Sequence, residues 1–432
     1  MAMCVSPSVG HSVQPMCVRK LRRQRWIFTY VVGLVFSLPG YAVDAQSVRS
    51  GLAHALERAW QLNPQAAALE SRDAEARAAQ ELAASLTPES ASVSLSNFSD
   101  QQGRNQGKQE WEIELAVPLW LPGQKEASAA EAESRVGEAA ARRTTLKLEV
   151  AGEVREAWWS LAAARSAQAL ATRRLDTARA LDSDIQKRFK VGELSRIDAN
   201  LSQGEVLVAE AETIETEVAV LRAEQAFRLL TAAPAPMELG EEAPALGRDR
   251  RSNVAAELHP QLATAAATAR SARARVKLAD ETRRAAPELA LRVVRERSDF
   301  VAPYGNSVGV KLTIPFSSAA RVRRDTSAAQ VEADQADAEM RRTEARVQLD
   351  IERARTTLDA AERQLAMAGE RRTLSTDNLR LGEKAFSLGE SDLATLLRIR
   401  AAAFDAEAFH NRQRVARAAA TSNLNQALGV LP

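Results

Sequence analysis

Four histidines, two cysteines and 56 acidic residues are what this 432-residue chain offers for catalysis or metal binding. A metal site needs His, Cys or carboxylate ligands at short, regular spacing. His11, His54, His259 and His410 are scattered, and Cys4 and Cys17 both precede an apolar leader, so no ligand set forms. There is no Gly-rich phosphate loop, nucleophile elbow or HExxH helix. His259 stands before Pro260 at a helix start, which suits a capping or surface role. Asp405 and Glu407 read as members of a solvated helix face, and Trp158-Trp159 as packing between helices. The chain is therefore predicted to be no enzyme and to hold no metal or cofactor. What remains is a set of charges at alternating positions, Glu112, Glu114, Arg292 and Lys311, whose role depends on the elements that carry them.

The N-terminus is a targeting segment. Arg19, Lys20, Arg22, Arg23 and Arg25 precede "WIFTYVVGLVFSLPGYA" and then "VDAQS". A basic region, a short apolar run and small residues make a secretory signal over 1–45, cleaved after Ala45 or Ala42. An uncleaved anchor is the alternative, and Met16 is a second candidate start. Neither cysteine sits in a lipid-attachment pattern. Removing 1–45 takes five bases and one acid from totals of 58 and 56, leaving a net charge of −2 and no nucleic-acid footprint.

Two stretches share a pattern: "KRFKVGELSRIDANL" from Lys187 and "KAFSLGESDLATLL" from Lys384, 197 residues apart. Asn63-Pro64 and His259-Pro260, Pro88 and Pro287, and Pro118 and Pro315 recur at offsets of 196, 199 and 197. The chain is thus a tandem repeat, with a first unit over 46–232, a second over 253–432, and a Pro-, Gly- and charge-rich linker over 233–252.

Each unit reads the same way. An Ala-rich helix (about 50–84; about 253–284) precedes two alternating segments joined by a polar loop. In "EWEIELAVPLW" Trp111, Ile113, Leu115 and Val117 share one face; in "NSVGVKLTIPF" Val308, Val310, Leu312 and Ile314 do. Period-two alternation predicts half-buried strands. Their partners are "SASVSLSNF" and "ELALRVVRER", where Arg295 breaks the outward set. Pro-free stretches then predict helices over about 124–188 and 320–385, each ~100 Å long at ~1.5 Å per residue. The Gly-Glu pair ends each rod in a tight turn, and a second helix (about 196–230; about 391–428) runs back.

No helix of the mature chain is apolar enough to span a bilayer, whereas the strands have the length and alternation of membrane strands. Lipid tolerates no open sheet edge, so such strands must close into a barrel. Four are too few, since the smallest barrels use about eight. Copies must combine: two give eight strands, three give twelve and room for a pore. Trp111, Trp120, Phe316, Phe98, Phe300 and Tyr304 lie near strand ends, as interfacial aromatics do. Glu112, Glu114, Arg292 and Lys311 then face the lumen. A soluble two-layer domain with a coiled-coil spacer is the competing reading.

The order of parts resembles the TolC family of outer-membrane efflux proteins. The resemblance rests on "NPQAAALESRDAEARAAQELAASLTPE", "VPLWLPGQKEA" and "RFKVGELSRIDANLSQGE", with second copies "HPQLATAAATARSARARVKLADETRRAAPE", "IPFSSAARV" and "AFSLGESDLATLL". It implies an α+β membrane protein of the Gram-negative outer membrane. Three copies would share a twelve-stranded barrel in lipid and a periplasmic tunnel of long helical hairpins. Partners would be a periplasmic adaptor and an inner-membrane pump of resistance-nodulation-division type, with a lean toward heavy-metal cations as cargo. Phe189, Val191, Gly192, Leu194, Ser195, Phe386, Leu388, Gly389 and Ser391 would be adaptor-facing tips. Arg196, Asp198, Thr395 and Arg398 would surround the entrance. The family's acid six residues after the tip glycine is matched by Asp198 but replaced by Thr395 in the second copy, and Asp198 is expected to pair with Arg196 or Arg398. A periplasmic scaffold, or the outer component of a type I secretion system, is the alternative.

Overall fold

Strand alternation decides one end of the molecule. The computed structural model describes residues 46–103, 105–245 and 259–432. The signal segment with Cys4, His11, Met16 and Cys17, the far end of the linker and the expected helix start at 253–258 lie outside the described residues. Four strands, β1 (Ser92–Ser99), β2 (Gln109–Pro118), β3 (Glu288–Arg297) and β4 (Gly305–Thr313), form one antiparallel sheet in chain order. The β2–β3 ladder joins the two repeats edge to edge.

The register carries the alternation across all four strands. Leu95, Ile113, Val293 and Val308 form one row, and Val93, Leu115, Leu291 and Val310 the next. This apolar face is uncovered: Val310 is 73% exposed and Val93 71%. The outer edges of β1 and β4 have no partner strand among the described residues.

Seven helices are described: α1 (Gln46–Leu62), α2 (Pro64–Ala84), α3 (Gln124–Lys190), α4 (Arg196–Thr231), α5 (Pro260–Glu281), α6 (Ala319–Ser387) and α7 (Leu393–Ala427). The single helix expected over 50–84 is two. Asn63 has extended backbone, and its Oδ1 accepts from the amides of Gln65 and Ala66, so α1 ends and α2 starts at that cap, with Pro64 in the first turn. His259 repeats the arrangement, its Nδ1 accepting from Gln261 N at 3.3 Å. It is a cap, but buried rather than on the surface.

With 67 and 69 residues, α3 and α6 are rods of about 100 Å at ~1.5 Å per residue. Shorter helices divide their length. Toward the sheet α5 bridges them, through Arg275 to Glu131 (3.2 Å) and Glu332 (3.3 Å) and Arg273 to Asp337 (2.6 Å). Toward the tips α7 takes that place, through Arg173–Glu407 (2.8 Å) and Arg400–Glu383 (2.8 Å). Gly429, just past α7, lies against His259 and Pro260 at the start of α5. On the other flank α4 follows α3 by Arg174–Glu205, Arg179–Glu210 and Arg165–Glu224. The seams are lined with small residues such as Ala151, Ala171, Ala209, Ala269, Ala368 and Ala406, which let backbones approach.

The largest core cluster among the described residues lies midway. Leu52, Leu56 and Ala59 of α1 pack on Val150, Val154 and Trp158 of α3 and Phe227 of α4. Trp158 Nε1 donates to Gly240 O and Trp159 Nε1 to Ser422 Oγ, so the tryptophan pair is packing, as expected. The described part of the linker is held down. Residues 233–245 are strapped across the wall: buried Arg155 holds Glu242 bidentately (2.9 and 2.7 Å), and Asn425 bonds Ala243 O and Ala245 N. A charge on a fully desolvated arginine is tolerable only because that carboxylate reaches it.

Burial pushes the His259 pKa below the ordinary value, while Asp350 acts the other way. The neutral ring is therefore the folded form. Stability is full above the ordinary histidine pKa of about 6.5 and declines as pH falls toward the depressed folded value. Replacing His259 with Asn, the residue that caps α2, should keep the cap and flatten melting temperature between roughly pH 7 and 5, as thermal melts of both proteins would show.

Candidate functional site

The far end of the rods carries the sequence-predicted tips, and both turns have the same geometry. After α3, the amide of Gly192 donates to Phe189 O (3.0 Å) and that of Glu193 to Arg188 O (2.9 Å). After α6, Gly389 donates to Phe386 O (3.1 Å) and Glu390 to Ala385 O (2.9 Å). This is the paired Schellman closure, with the glycines at φ 82° and 77°, where a Cβ is strained.

Both return helices start on side-chain caps, and the first is reciprocal. Ser195 caps α4: its Oγ accepts from Asp198 N (3.2 Å), and Asp198 Oδ2 accepts from Ser195 N (3.0 Å) and Oγ (2.7 Å). Asp392 caps α7 and accepts from Thr395 N (3.0 Å). Acid and hydroxyl have changed places, so Thr395 is not a missing carboxylate but half of a reversed pair. Hydrogen bonds from Thr395 hold the Asp392 pKa below its usual range, with Arg398 adding to the effect. Asp198 itself makes no ion pair to Arg196 or Arg398 among the described residues. The expected pairing gives way to the capping box, because an acid three residues into a helix meets the orphan amide first.

Val191, Leu388 and Phe189 are exposed at the tips, as is Ile197, which the sequence reading passed over. Leu194 and Phe386 instead lean into a buried cluster of Leu181, Ile185, Leu393 and Leu396 that joins one hairpin to the other. Arg196 and Arg398 are exposed.

At the opposite end the polar sheet face brings the four alternating charges together. Arg292 reaches Glu112 (3.3 Å) and Lys311 reaches Glu114 (3.2 Å) across the strands. Glu110, Glu288 and Glu296 share that face by register. Among the described residues no group of three His, Cys, Asp or Glu is placed to hold a metal ion, and no helix is long and apolar enough to cross a membrane.

Residues 252–430 match the model of the family described as "Outer membrane efflux protein". That match falls in the second half of the chain. Solved structures share the fold over nearly the whole length. They include CusC (TM-score 0.74, 14% identity, 92% of this chain and 95% of that one) and VceC of Vibrio cholerae (0.71, 15%, 89% and 98%). The CmeC outer membrane channel of Campylobacter jejuni is similar (0.70, 15%, 88% and 85%). No curated protein sequence matches the chain. The α+β architecture and the outer-membrane location expected from the residues are those of the efflux domain and of these structures.

The efflux domain's match begins in the linker, yet the first repeat has the same hairpin, rod and tip, joined to the domain by β2–β3. The inter-hairpin cluster was missed by sequence reasoning. Leu181 and Ile185, four apart, with Leu393, Leu396 and Leu397, are the spacing that marks a buried stripe. Arg400 strengthens the seam, bonding Glu383 and donating to Thr177 O at 3.4 Å.

Because Ser195 and Asp198 complete one box, removing either should loosen the same contact. Ser195→Ala should lower local stability by about 1 kcal/mol and speed amide exchange around residues 191–198. Asp198→Ala should add little to it in the double variant. Additive effects would mean the carboxylate works elsewhere.

Proposed function

We propose that three copies of this chain form a passive exit duct for efflux. Their sheets close into a twelve-stranded barrel in outer-membrane lipid, and their hairpins into a periplasmic tunnel. The observation that carries this is the sheet: one face apolar and uncovered, the other charged and ion-paired, and both edges without a partner strand among the described residues. A barrel of several copies satisfies all three at once.

The tunnel performs no chemistry; energy comes from an inner-membrane pump of resistance-nodulation-division type, reached through a periplasmic adaptor. Exposed Val191, Leu388 and Phe189, beside the left-handed turn glycines Gly192 and Gly389 and with Ser195 and Ser391, give an adaptor an apolar patch with a polar rim. Leu194 and Phe386 set the spacing of the two tips from beneath. Arg196, Asp198, Thr395 and Arg398 lie around the entrance, and an adaptor opens it only by binding the open form better.

Cargo is favoured by charge. On the lumen face each chain sets Glu110, Glu112, Glu114, Glu288 and Glu296 against Arg292 and Lys311, an excess of acid that attracts cations. This supports metal cations as cargo passing through rather than binding.

Planar-bilayer recordings of the purified mature protein test the reading. Cation-selective conductance is expected, and Glu112→Gln with Glu114→Gln should move the reversal potential toward zero while conductance persists. Val191→Asp with Leu388→Asp should abolish adaptor cross-linking without altering conductance. A water-soluble monomer that never conducts would contradict the proposal.

A further inference from the structure

The lipid-facing side of the sheet holds two positive charges that the duct does not explain. Arg295 interrupts the apolar set of β3, and Arg297 follows two residues on, so both point to the same face as Leu291 and Val293. They lie at the loop end of the sheet, away from the helices. Their rows contain Asn97, Trp111 and Asn306, and Ser99 and Gln109, so the apolar band ends where they begin. A charge on a barrel's lipid face costs about 2–4 kcal/mol at mid-bilayer but ~0–1 near the interface. This position therefore tolerates arginine without requiring it.

The pair is held rather than loose. The guanidinium carbons of Arg295 and Arg297 lie 4.7 and 5.1 Å from the centre of the Tyr304 ring, and Arg297 is also 5.7 Å from Phe300. Tyr304 is fixed by donating its hydroxyl to Gln109 Oε1 (2.6 Å). Phe300 is fixed through its amide, which donates to Gln106 O (3.2 Å) in the facing loop. Neither arginine forms an ion pair among the described residues. The nearby Asp299 accepts from the amides of Val301 and Ala302 (2.8 Å each) and from Ser298 Oγ (3.3 Å), and acts on Arg297 only as a weaker charge at a distance. Glu296, between the two, faces the lumen. Arg297 Nε is shielded from solvent and has no acceptor.

We infer that Arg295 and Arg297, stacked on Tyr304, form a clamp for the phosphate of an anionic lipid headgroup in the outer leaflet. Two forked donors at fixed spacing suit a phosphate, and the apolar rows below suit its acyl chains. The inference rests on the membrane placement proposed above.

Native mass spectrometry of the detergent-solubilised mature protein tests it. The probes are bis-phosphorylated lipid A, the same lipid dephosphorylated, and inorganic phosphate as competitor. The wild type should retain the phosphorylated lipid about tenfold better than the dephosphorylated one. Arg295→Gln with Arg297→Gln should remove that preference, whereas Arg353→Gln, on the mid-length of α6, should keep it. Equal retention of both lipids, or an unchanged preference in the double variant, overturns the clamp. Displacement by inorganic phosphate at equal concentration overturns the lipid assignment in favour of a free-anion site. Bilayer conductance separates the two claims: a conducting protein without lipid preference loses only the clamp, and a wild type that never inserts loses both.

Discussion

A strand edge in hydrocarbon has nowhere to send its amides and carbonyls, and that constraint organises this molecule. β2 and β3 satisfy each other and tie the repeats together, which leaves the outer sides of β1 and β4 open. The helical wall has matching free flanks. α4 packs on α3 and shows Leu207, Ile214 and Leu221 to the outside, and α6 shows Met367, Leu374 and Leu381. Open strand edges and apolar helix flanks are what the proposed ring of copies needs. In the proposed ring the apolar face meets lipid, and the ion-paired face meets water.

Length comes from a different balance. Rods of 67 and 69 residues cannot be held by a conventional core. The wall is instead stitched by alanine seams and by arginine–carboxylate bridges at intervals. Most of those bridges are exposed and individually weak. The exception is Arg155, which is buried and grips Glu242, Gln426 and Val430 O together. It anchors the strap of residues 233–245 over the point where the shorter helices meet end to end. That fixes the midpoint, while toward the tips the hairpins are joined by the small Leu181, Ile185, Leu393 and Leu396 cluster and by Arg400.

Local chemistry was legible in the residues, and distant chemistry was not. Period-two alternation located all four strands, and the two Gly-Glu turns located both tips, because each depends on a few neighbours. The break at Asn63 was hidden, since the Ala-rich pattern continues on both sides and only the cap geometry shows the interruption. Pro, Gly and charge marked the linker, because they mark loops in general. Its attachment depends on Arg155 and Asn425, many residues away. Thr395 looked like a lost acid because positions were matched one by one; what the two tips share is a side-chain cap on the return helix, from Ser195 in one and Asp392 in the other. Arg295 was visible as an exception in its strand, and its meaning needed the Tyr304 ring beside it.

Backbone amide exchange in the membrane-inserted protein tests the central claim most directly. The account predicts that the outward amides of β1 and β4 are protected as strongly as those of β2 and β3, because neighbouring copies hydrogen-bond to them. Rapid exchange confined to those two edges, in protein that is folded and inserted, would contradict it.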